Sequence, residues 1–327
     1  MEHGTSAMGQ KNEPPVVAVR LRPVSDVEKS RDRVWSVDDS NTGGLWSTST
    51  KNPEVLTFYP MCHRFDRVFR DTADNREVYT SLAADAVKGA MNGKSATIMT
   101  YGATNSGKTY TMVGVKEDPG IVSPSIHEVF NEAQTLSTKK FRLTLSMMEL
   151  YNECLKDLLC PVQNNLHIMN GVDCVKIPKL TAIEAAVSKG QKQEGSSINK
   201  SLLTLRTVIS KLGDEQAPHV NFRDSKLTRF LQPSLCGNGN GNKTNIVLIC
   251  TITSIHREET RSTLQFAFDA KSIRFPNVKR KLRIFDAKAK EIGTDERSAR
   301  QYRGGRMRSG PVAKLVEFQA NAGCMSS

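Results

Sequence analysis

The chain has 327 residues, of which 38% are hydrophobic and 24% charged, a composition typical of a globular protein with a buried core. Its formal net charge is +12, and the segment from Lys271 to Lys314, with 14 lysines and arginines against 4 acidic residues, carries most of that excess. Seven cysteines are scattered without a C-x-x-C pair, which indicates reduced thiols and argues against a metal site built from them.

Hydropathy and charge divide the chain into three parts. No apolar run is long enough to cross a membrane, and the polar start has no apolar signal core, so we expect neither a membrane span nor secretion. Residues 1–14 are interpreted as a disordered leader, residues 15–277 as one domain, and residues 278–327 as a basic, disordered tail. The tail could attract an anionic polymer, but composition alone favours a solvated segment without a partner.

Apolar patterning predicts strands and helices that alternate along the domain. In chain order it predicts a strand at 16–22, strand pieces in 55–69, a helix at 75–91, a strand at 95–101, a helix at 125–133, a strand at 141–151, a short helix at 152–159, strand pieces in 166–177, a helix at 198–212, a helix before Pro233, a strand at 245–253 and a helix at 258–273. This alternation predicts an α/β fold with helices on both faces of a central sheet.

Residues 102–109 fit the pattern G-x-x-x-x-G-K-[ST], in which backbone N–H groups form a concave anion site at the start of a helix. The glycines permit close approaches that a Cβ would prevent. Lys108 offers a positive charge to the β- and γ-phosphates of a nucleotide, and Thr109 offers a hydroxyl to Mg²⁺. The predicted phosphate-binding residues are Gly102, Ala103, Thr104, Asn105, Ser106, Gly107, Lys108 and Thr109.

Five separated motifs occur in a fixed order: V-R-L-R-P at 19–23, the loop with Y-T-M at 110–112, E-L-Y-N-E at 149–153, I-N-K-S-L at 198–202 and F-R-D-S-K-L-T-R at 222–229. Together they resemble a kinesin motor domain, over about residues 15–277. Within it, the run S-L-L-T-L-R-T-V-I at 201–209 resembles the centromere-associated branch most closely.

The resemblance implies roles for residues outside the phosphate loop. Arg20, Arg22 and Pro23 would flank the adenine of ATP, with Tyr110 stacking from the other side. Arg223, Lys226 and Arg229 would face the acidic surface of tubulin in microtubules. Without the family, the first group would be interpreted as an ordinary strand end and the second as a solvated basic turn.

The chain also departs from the kinesin pattern. The family's N-x-x-S-S-R-S-H and D-L-A-G-S-E switch segments, expected between the strand near Val175 and the helix at Ile198, have no counterpart in it. They would supply a serine near the metal, a carboxylate and a glycine N–H that senses the γ-phosphate. We therefore expect a P-loop NTPase-like kinesin motor fold with a central mixed sheet that lacks two central strands, deleted near 181–196, and we assign no catalytic residue.

The function that follows is a kinesin-like, ATP- and Mg²⁺-binding, microtubule-binding motor, cytoplasmic and cytoskeletal, with impaired hydrolysis and motility. Three alternatives remain: a non-catalytic microtubule-binding module, a nucleic-acid binder that uses the basic tail, and a P-loop small-molecule kinase. The tail has no aromatic interleaving or recognised reading motif, which counts against nucleic acid, and the basic run at 223–229 counts against the kinase. No heptad pattern predicts a coiled coil.

Overall fold

The computed structural model describes residues 14–37, 45–48, 56–59, 65–135, 143–151, 153–160, 166–170, 175–176, 183–184, 200–214, 217, 219–236, 244–273 and 312–318. In chain order, the first half contains β1 (Val16–Leu21), β2 (Trp35–Val37), β3 (Leu45–Thr48), β4 (Leu56–Tyr59), β5 (Arg67–Phe69), α1 (Asn75–Val78), a π-helical turn (Tyr79–Ala83), α2 (Ala84–Met91), β6 (Ser95–Gly102), α3 (Lys108–Met112) and α4 (Val122–Thr135). The second half contains β7 (Thr144–Leu145), β8 (Met148–Tyr151), β9 (Cys154–Asp157), β10 (Met169–Asn170), β11 (Val175–Lys176), β12 (Ile183–Glu184), α5 (Lys200–Gly213), α6 (Lys226–Cys236), β13 (Thr244–Ile252), α7 (Arg257–Lys271) and β14 (Val312–Phe318).

The central sheet has the strand order β14-β6-β13-β1-β5. β6, β13, β1 and β5 run parallel, whereas β14 pairs antiparallel with β6 at the edge. β1 and β6 therefore flank the apolar strand β13, in the register Val16↔Val247 and Val247↔Ile98. A parallel sheet of this kind requires cover on both faces, which explains why its strands are nearly continuous runs of apolar residues.

Helices cover both faces of the sheet, and the alternation of side chains along β1 separates two cores. Val17 and Val19 belong to the core that contains buried residues of α5, α6 and α7, while Ala18 belongs to the core that contains α1, the π-helical turn and α2. The ring of Tyr101 at the end of β6 stacks on Phe266 of α7, with 3.8 Å between the ring centroids. The α/β fold class is thus confirmed.

Two local predictions differ from the structure. Residues 152–159 were predicted to form a short helix, but Cys154–Asp157 form β9, which pairs antiparallel with β8. The burial of Leu155 and Asp157 alternates with the exposure of Cys154 and Lys156, which is the two-residue period of a strand. Pro233 was expected to limit its helix, yet it lies inside α6.

The C-terminal segment contributes one element to the sheet. Residues 278–327 were interpreted as a basic, disordered tail, and the structure places β14 within them, paired with β6. The leader at 1–13, the strongly basic stretch 274–311, the predicted gap at 185–196 and Ile198 lie outside the described residues.

Candidate nucleotide site

The sheet presents residues 102–109 at the carboxyl end of β6. Seven of the eight β6 residues are buried, and the strand ends at Gly102 opposite Thr251 of β13. A Cβ on Gly102 would lie 2.3 Å from the backbone oxygen of Thr251, a distance that real Cβ atoms do not show. The first glycine of the motif is therefore required by the close approach of two backbones.

The loop between β6 and α3 uses two left-handed residues. Asn105 has φ of 61° and Gly107 has φ of 101°. Asparagine tolerates this region better than most residues and glycine adopts it without strain, so the loop can turn tightly into α3. The Ser106 hydroxyl lies 2.7 Å from the Thr251 hydroxyl, and this hydrogen bond ties the loop to β13.

Lys108 points back into the loop. Its side chain is buried, and its ammonium donates hydrogen bonds to the backbone oxygens of Gly102 at 3.1 Å and Ala103 at 2.5 Å. Since a buried ammonium needs such partners, these carbonyls hold the charge inside the turn. Thr109 follows, half-buried, in the first turn of α3.

Arg20 lies beneath α3, with only 4% of its surface exposed. Its guanidinium donates to the side-chain oxygens of Asn75 at 2.5 Å and Thr111 at 3.0 Å, and to the backbone oxygen of Ala73 at 2.9 Å. It also lies 5.4 Å from the centre of the Tyr110 ring. Burial lowers the pKa of Arg20, and Tyr110 and nearby acidic groups oppose that shift.

Arg22 lies beside the loop, and the exposed Pro23 follows it in the chain. Arg22 donates to both carboxylate oxygens of Glu28, at 2.7 and 2.8 Å, and to the backbone oxygen of Pro23 at 2.8 Å. Its methylene groups approach Gly107, where an added Cβ would meet them at 3.7 Å. The hydrogen bond from Arg22 lowers the pKa of Glu28 from its ordinary value of 4.5 to about 2.

Tyr110 is held by a network of hydrogen bonds that no sequence motif indicates. Its hydroxyl donates to Asp118 at 2.5 Å, and the Asp118 carboxylate also accepts the backbone N–H of Asn75 at 3.1 and 3.3 Å. The buried Asn75 amide donates to the backbone oxygens of Tyr110 at 3.2 Å and Asp118 at 2.9 Å. The hydrogen bond to Asp118 raises the pKa of Tyr110.

The ring of Tyr110 is therefore fixed at its polar end and lies near Arg20, while 39% of the residue remains exposed. The structure brings Arg22, Tyr110 and the loop close together, and it places Arg20 deeper, in contact with Tyr110. No local sequence pattern could have identified Asn75 and Asp118, because their bonds join segments 43 residues apart.

Arg223 lies just before α6, and Lys226 and Arg229 lie in its first turn. Ser225 caps this helix, since its hydroxyl accepts the backbone N–H of Thr228 at 3.1 Å. Arg223 is exposed, whereas Lys226 and Arg229 are half-buried. The structure thus groups the three basic residues on one short segment.

Glu153 anchors that segment to two other elements. It occupies the turn between β8 and β9 with φ of 60°. One carboxylate oxygen accepts the Ser201 hydroxyl of α5, and the other accepts the backbone N–H of Lys226 at 2.7 Å. Glu153 belongs to the E-L-Y-N-E motif, but the motif does not indicate this role, because the partners of Glu153 are distant in sequence.

Comparison with known proteins agrees with this geometry. The family model of the kinesin motor domain matches residues 20–189 and, as a second segment, residues 183–273. The chain belongs to the kinesin motor-domain family. This match confirms, at the level of the family, the resemblance seen in the five motifs. Domains of this family bind ATP with Mg²⁺ and bind microtubules.

Curated relatives carry kinesin names. Kinesin-like protein KIN-7D, chloroplastic, from Oryza sativa subsp. japonica is 34% identical over 332 residues, covering 79% of this chain and 32% of the relative. In Arabidopsis thaliana, KIN-7C, mitochondrial, is 33% identical over 370 residues (88% of this chain, 40% of the relative), and KIN-7D, mitochondrial, is 37% identical over 330 residues (79% and 30%). The chain spans about a third of the length of these relatives.

The residues present fit the phosphate part of Mg-ATP. Gly102 and Gly107 keep the loop free of side chains at its tightest points, and Lys108 places an ammonium within it. Thr109 would provide the protein's hydroxyl ligand to Mg²⁺. Among the described residues, no group of three His, Cys, Asp or Glu side chains could hold a metal ion by itself.

Within the same described residues, no helix is long and apolar enough to span a membrane.

Proposed function

We propose that this chain is a kinesin-like motor domain that binds Mg-ATP and microtubules, with hydrolysis and motility impaired. The observation that carries the ATP site is the buried Lys108 ammonium, held by carbonyls of a loop in which a Cβ on Gly102 would clash with the Thr251 backbone and Gly107 has a φ of 101°. The proposed site consists of residues 102–109 with Arg20, Arg22, Pro23 and Tyr110. Lys108 and the loop N–H groups would bind the phosphates, and Arg22, Pro23 and the exposed side of Tyr110 would contact adenine.

Two observations support the impaired hydrolysis. The family match is broken into two segments that overlap at 183–189, within the stretch near 181–196 where the switch motifs are expected. The 332-residue alignment with a rice relative includes only 79% of this 327-residue chain, about 258 residues, so it contains positions that this chain does not fill. Phosphoryl transfer depends on groups that position the attacking water and stabilise charge, and the missing motifs would supply those groups.

Binding and turnover should be measured separately. We expect the chain to bind a fluorescent ATP analogue, Lys108→Ala to weaken binding at least about tenfold, and Lys116→Ala, which removes an exposed lysine nearby, to bind like the unchanged protein. Phosphate release should stay at background when microtubules are added. Release at the rate of an intact kinesin motor would refute the impairment, and absence of ATP binding would refute the proposal as a whole.

The proposed microtubule contacts are Arg223, Lys226 and Arg229. Their positive charges are complementary to the acidic surface of tubulin, and all three lie on the short segment that leads into the first turn of α6. Co-sedimentation should show binding that the triple alanine variant loses. Replacing Lys88, Lys94 and Lys116, three exposed lysines of the same total charge elsewhere on the domain, should leave binding unchanged. Equal loss in both variants would indicate non-specific attraction.

A second candidate is a passive microtubule-binding module. It is favoured by the hydrogen bonds at the start of α6, because the backbone N–H groups of Lys226 and Thr228 donate to Glu153 and Ser225 and these bonds involve no residue of the phosphate loop. Co-sedimentation with a non-hydrolysable ATP analogue and with ADP distinguishes the two. Equal binding in both nucleotides supports the passive module, whereas tighter binding with the ATP analogue supports a nucleotide-responsive motor domain.

We propose a cytoplasmic location on the microtubule cytoskeleton, as expected for the family. Relatives named chloroplastic and mitochondrial suggest organelles as the alternative. The run at 201–209 supports membership of the centromere-associated branch of the family. A fluorescent fusion of the chain distinguishes these locations: microtubule filaments, organelles or the centromeres of dividing cells.

A further inference from the structure

The edge of β6 is closed by a strand from the C-terminal part of the chain. β6 pairs with β13 on one side over residues 95–102, and with β14 on the other side from Phe318↔Ala96 to Val312↔Gly102. The second ladder is antiparallel and continuous over seven residue pairs. It ends at Gly102, the first residue of the phosphate loop.

This edge lies in a buried part of the domain. Residues 96–102 are all buried, and Thr100 has no exposed surface. Buried backbone N–H and C=O groups are almost always paired, and a strand directs its backbone groups alternately to its two sides. β13 can satisfy only one side of β6, so the backbone groups on the other side need further partners, and β14 provides them.

The segment that pairs with this edge has a sequence typical of a strand. Its sequence, V-A-K-L-V-E-F, contains β-branched and aliphatic residues typical of strands. An antiparallel edge strand on a parallel sheet is a common arrangement and requires no crossover helix. β14 also contacts α3, the helix that begins at Lys108.

We propose that Val312–Phe318 contributes to the nucleotide site by holding the phosphate loop in place. The strand closes the sheet beside the phosphate loop and holds Gly102 where the loop can bind phosphate. The ligand chemistry is that of strand addition: the β6 edge accepts an extended segment through backbone hydrogen bonds, and its occupant is the tail of the same chain. This inference rests on the proposed ATP binding, but the strand pairing can be tested without nucleotide.

Cysteine cross-linking in the full chain tests the occupant. Lys314 pairs with Thr100, and paired residues of an antiparallel ladder are close enough for a disulfide. We expect the double variant Thr100→Cys with Lys314→Cys to form an intramolecular disulfide on oxidation. Peptide mapping would distinguish this disulfide from any that involves a native cysteine. Thr97→Cys with Lys314→Cys is the control, because Thr97 pairs with Glu317 and lies out of register. A disulfide-linked dimer, or no disulfide in the matched pair, would overturn the proposal.

Truncation tests the consequence for the site. A chain that stops after Arg308 lacks the strand, and a chain that stops after Asn321 keeps it. Without nucleotide, we expect faster hydrogen exchange at residues 96–102 in the shorter chain alone. We also expect the shorter chain to bind a fluorescent ATP analogue at least tenfold more weakly than the longer chain does. A synthetic peptide of residues 310–320, but not a scrambled one, should restore protection and affinity.

The outcomes separate the two proposals. Unchanged exchange at residues 96–102 in the shorter chain would overturn the inference, as would full ATP affinity without the strand. If the shorter chain does not fold, the cross-link in the full chain decides whether β14 pairs with β6. A full chain that forms the intramolecular cross-link but binds no ATP would overturn the proposed function, and with it the role of the tail in binding.

Discussion

Replacing Asp118 by asparagine tests whether the hydrogen bond to Asp118 orients Tyr110 for contact with the adenine base of ATP. The Asp118 carboxylate accepts the Tyr110 hydroxyl at 2.5 Å and the Asn75 backbone N–H at 3.1 and 3.3 Å. Hydrogen bonds to a charged group contribute about 1.5–3 kcal/mol. Because 39% of Tyr110 is exposed, we expect the lower end of that range, and hence about a tenfold loss of ATP affinity when the tyrosine loses its fixed orientation.

The assay compares ligands with and without a base. ATP affinity should fall in Asp118→Asn, whereas the affinity for inorganic tripolyphosphate, which contacts only the loop, should not change. The control is Glu117→Gln, which removes the same charge from the neighbouring exposed position. Since the hydrogen bond to Asp118 raises the pKa of Tyr110, the variant should also titrate at lower pH in its tyrosine absorbance.

A double-mutant cycle with Tyr110→Phe completes the test. Phenylalanine keeps the ring and removes only the hydroxyl, so the two single variants should disturb the same hydrogen bond. Their effects on ATP affinity should then be clearly non-additive, with a coupling energy of about 1 kcal/mol. Additive effects, or an equal loss of tripolyphosphate affinity, would refute the view that Asp118 acts through Tyr110.

Three further variants follow from single contacts. Glu153→Gln should lower the free energy of unfolding by about 1–3 kcal/mol in thermal denaturation, because it weakens the bonds to Ser201 and Lys226, while Glu149→Gln, whose partner Lys156 lies 3.9 Å away at the surface, should change little. The pKa of Glu28 is depressed in the folded chain, so its bond with Arg22 should stabilise the fold fully above pH 4.5, the ordinary pKa of a glutamate, and this stabilisation should disappear as the pH falls to about 2. Glu28→Gln should remove this pH dependence of stability, and an unchanged profile would contradict the assignment. Gly102→Ala should abolish ATP binding because its Cβ would clash with the Thr251 backbone, whereas Gly89→Ala in α2 should be tolerated because the nearest atom to its Cβ, at 2.9 Å, would be the end of the Asn245 side chain; equal binding by both variants would show that the close approach is not required.

The sequence predicted features that are encoded locally. Glycine spacing identified the loop, and the apolar runs identified β1, β6 and β13, because a buried parallel strand has a continuous apolar signature. The turn at Glu153 was missed because a φ of 60° in a non-glycine residue leaves no sequence pattern, and the following strand was therefore interpreted as a helix. The bond from Lys226 to Glu153 spans 73 residues and could be found only in the folded chain.

Arg20 shows how a family motif can be divided between two tasks. Arg20 and Arg22 are two residues apart, so the period of an extended chain directs both to the same face of the sheet. Arg20 lies beneath α3, and three N–H groups of its guanidinium donate to the protein, at Asn75, Thr111 and Ala73. Arg22 lies farther along, against Gly107 at the mouth of the loop. We therefore expect Arg20 to act on the base indirectly, by holding Tyr110 from below, and Arg22 to be the arginine that touches it.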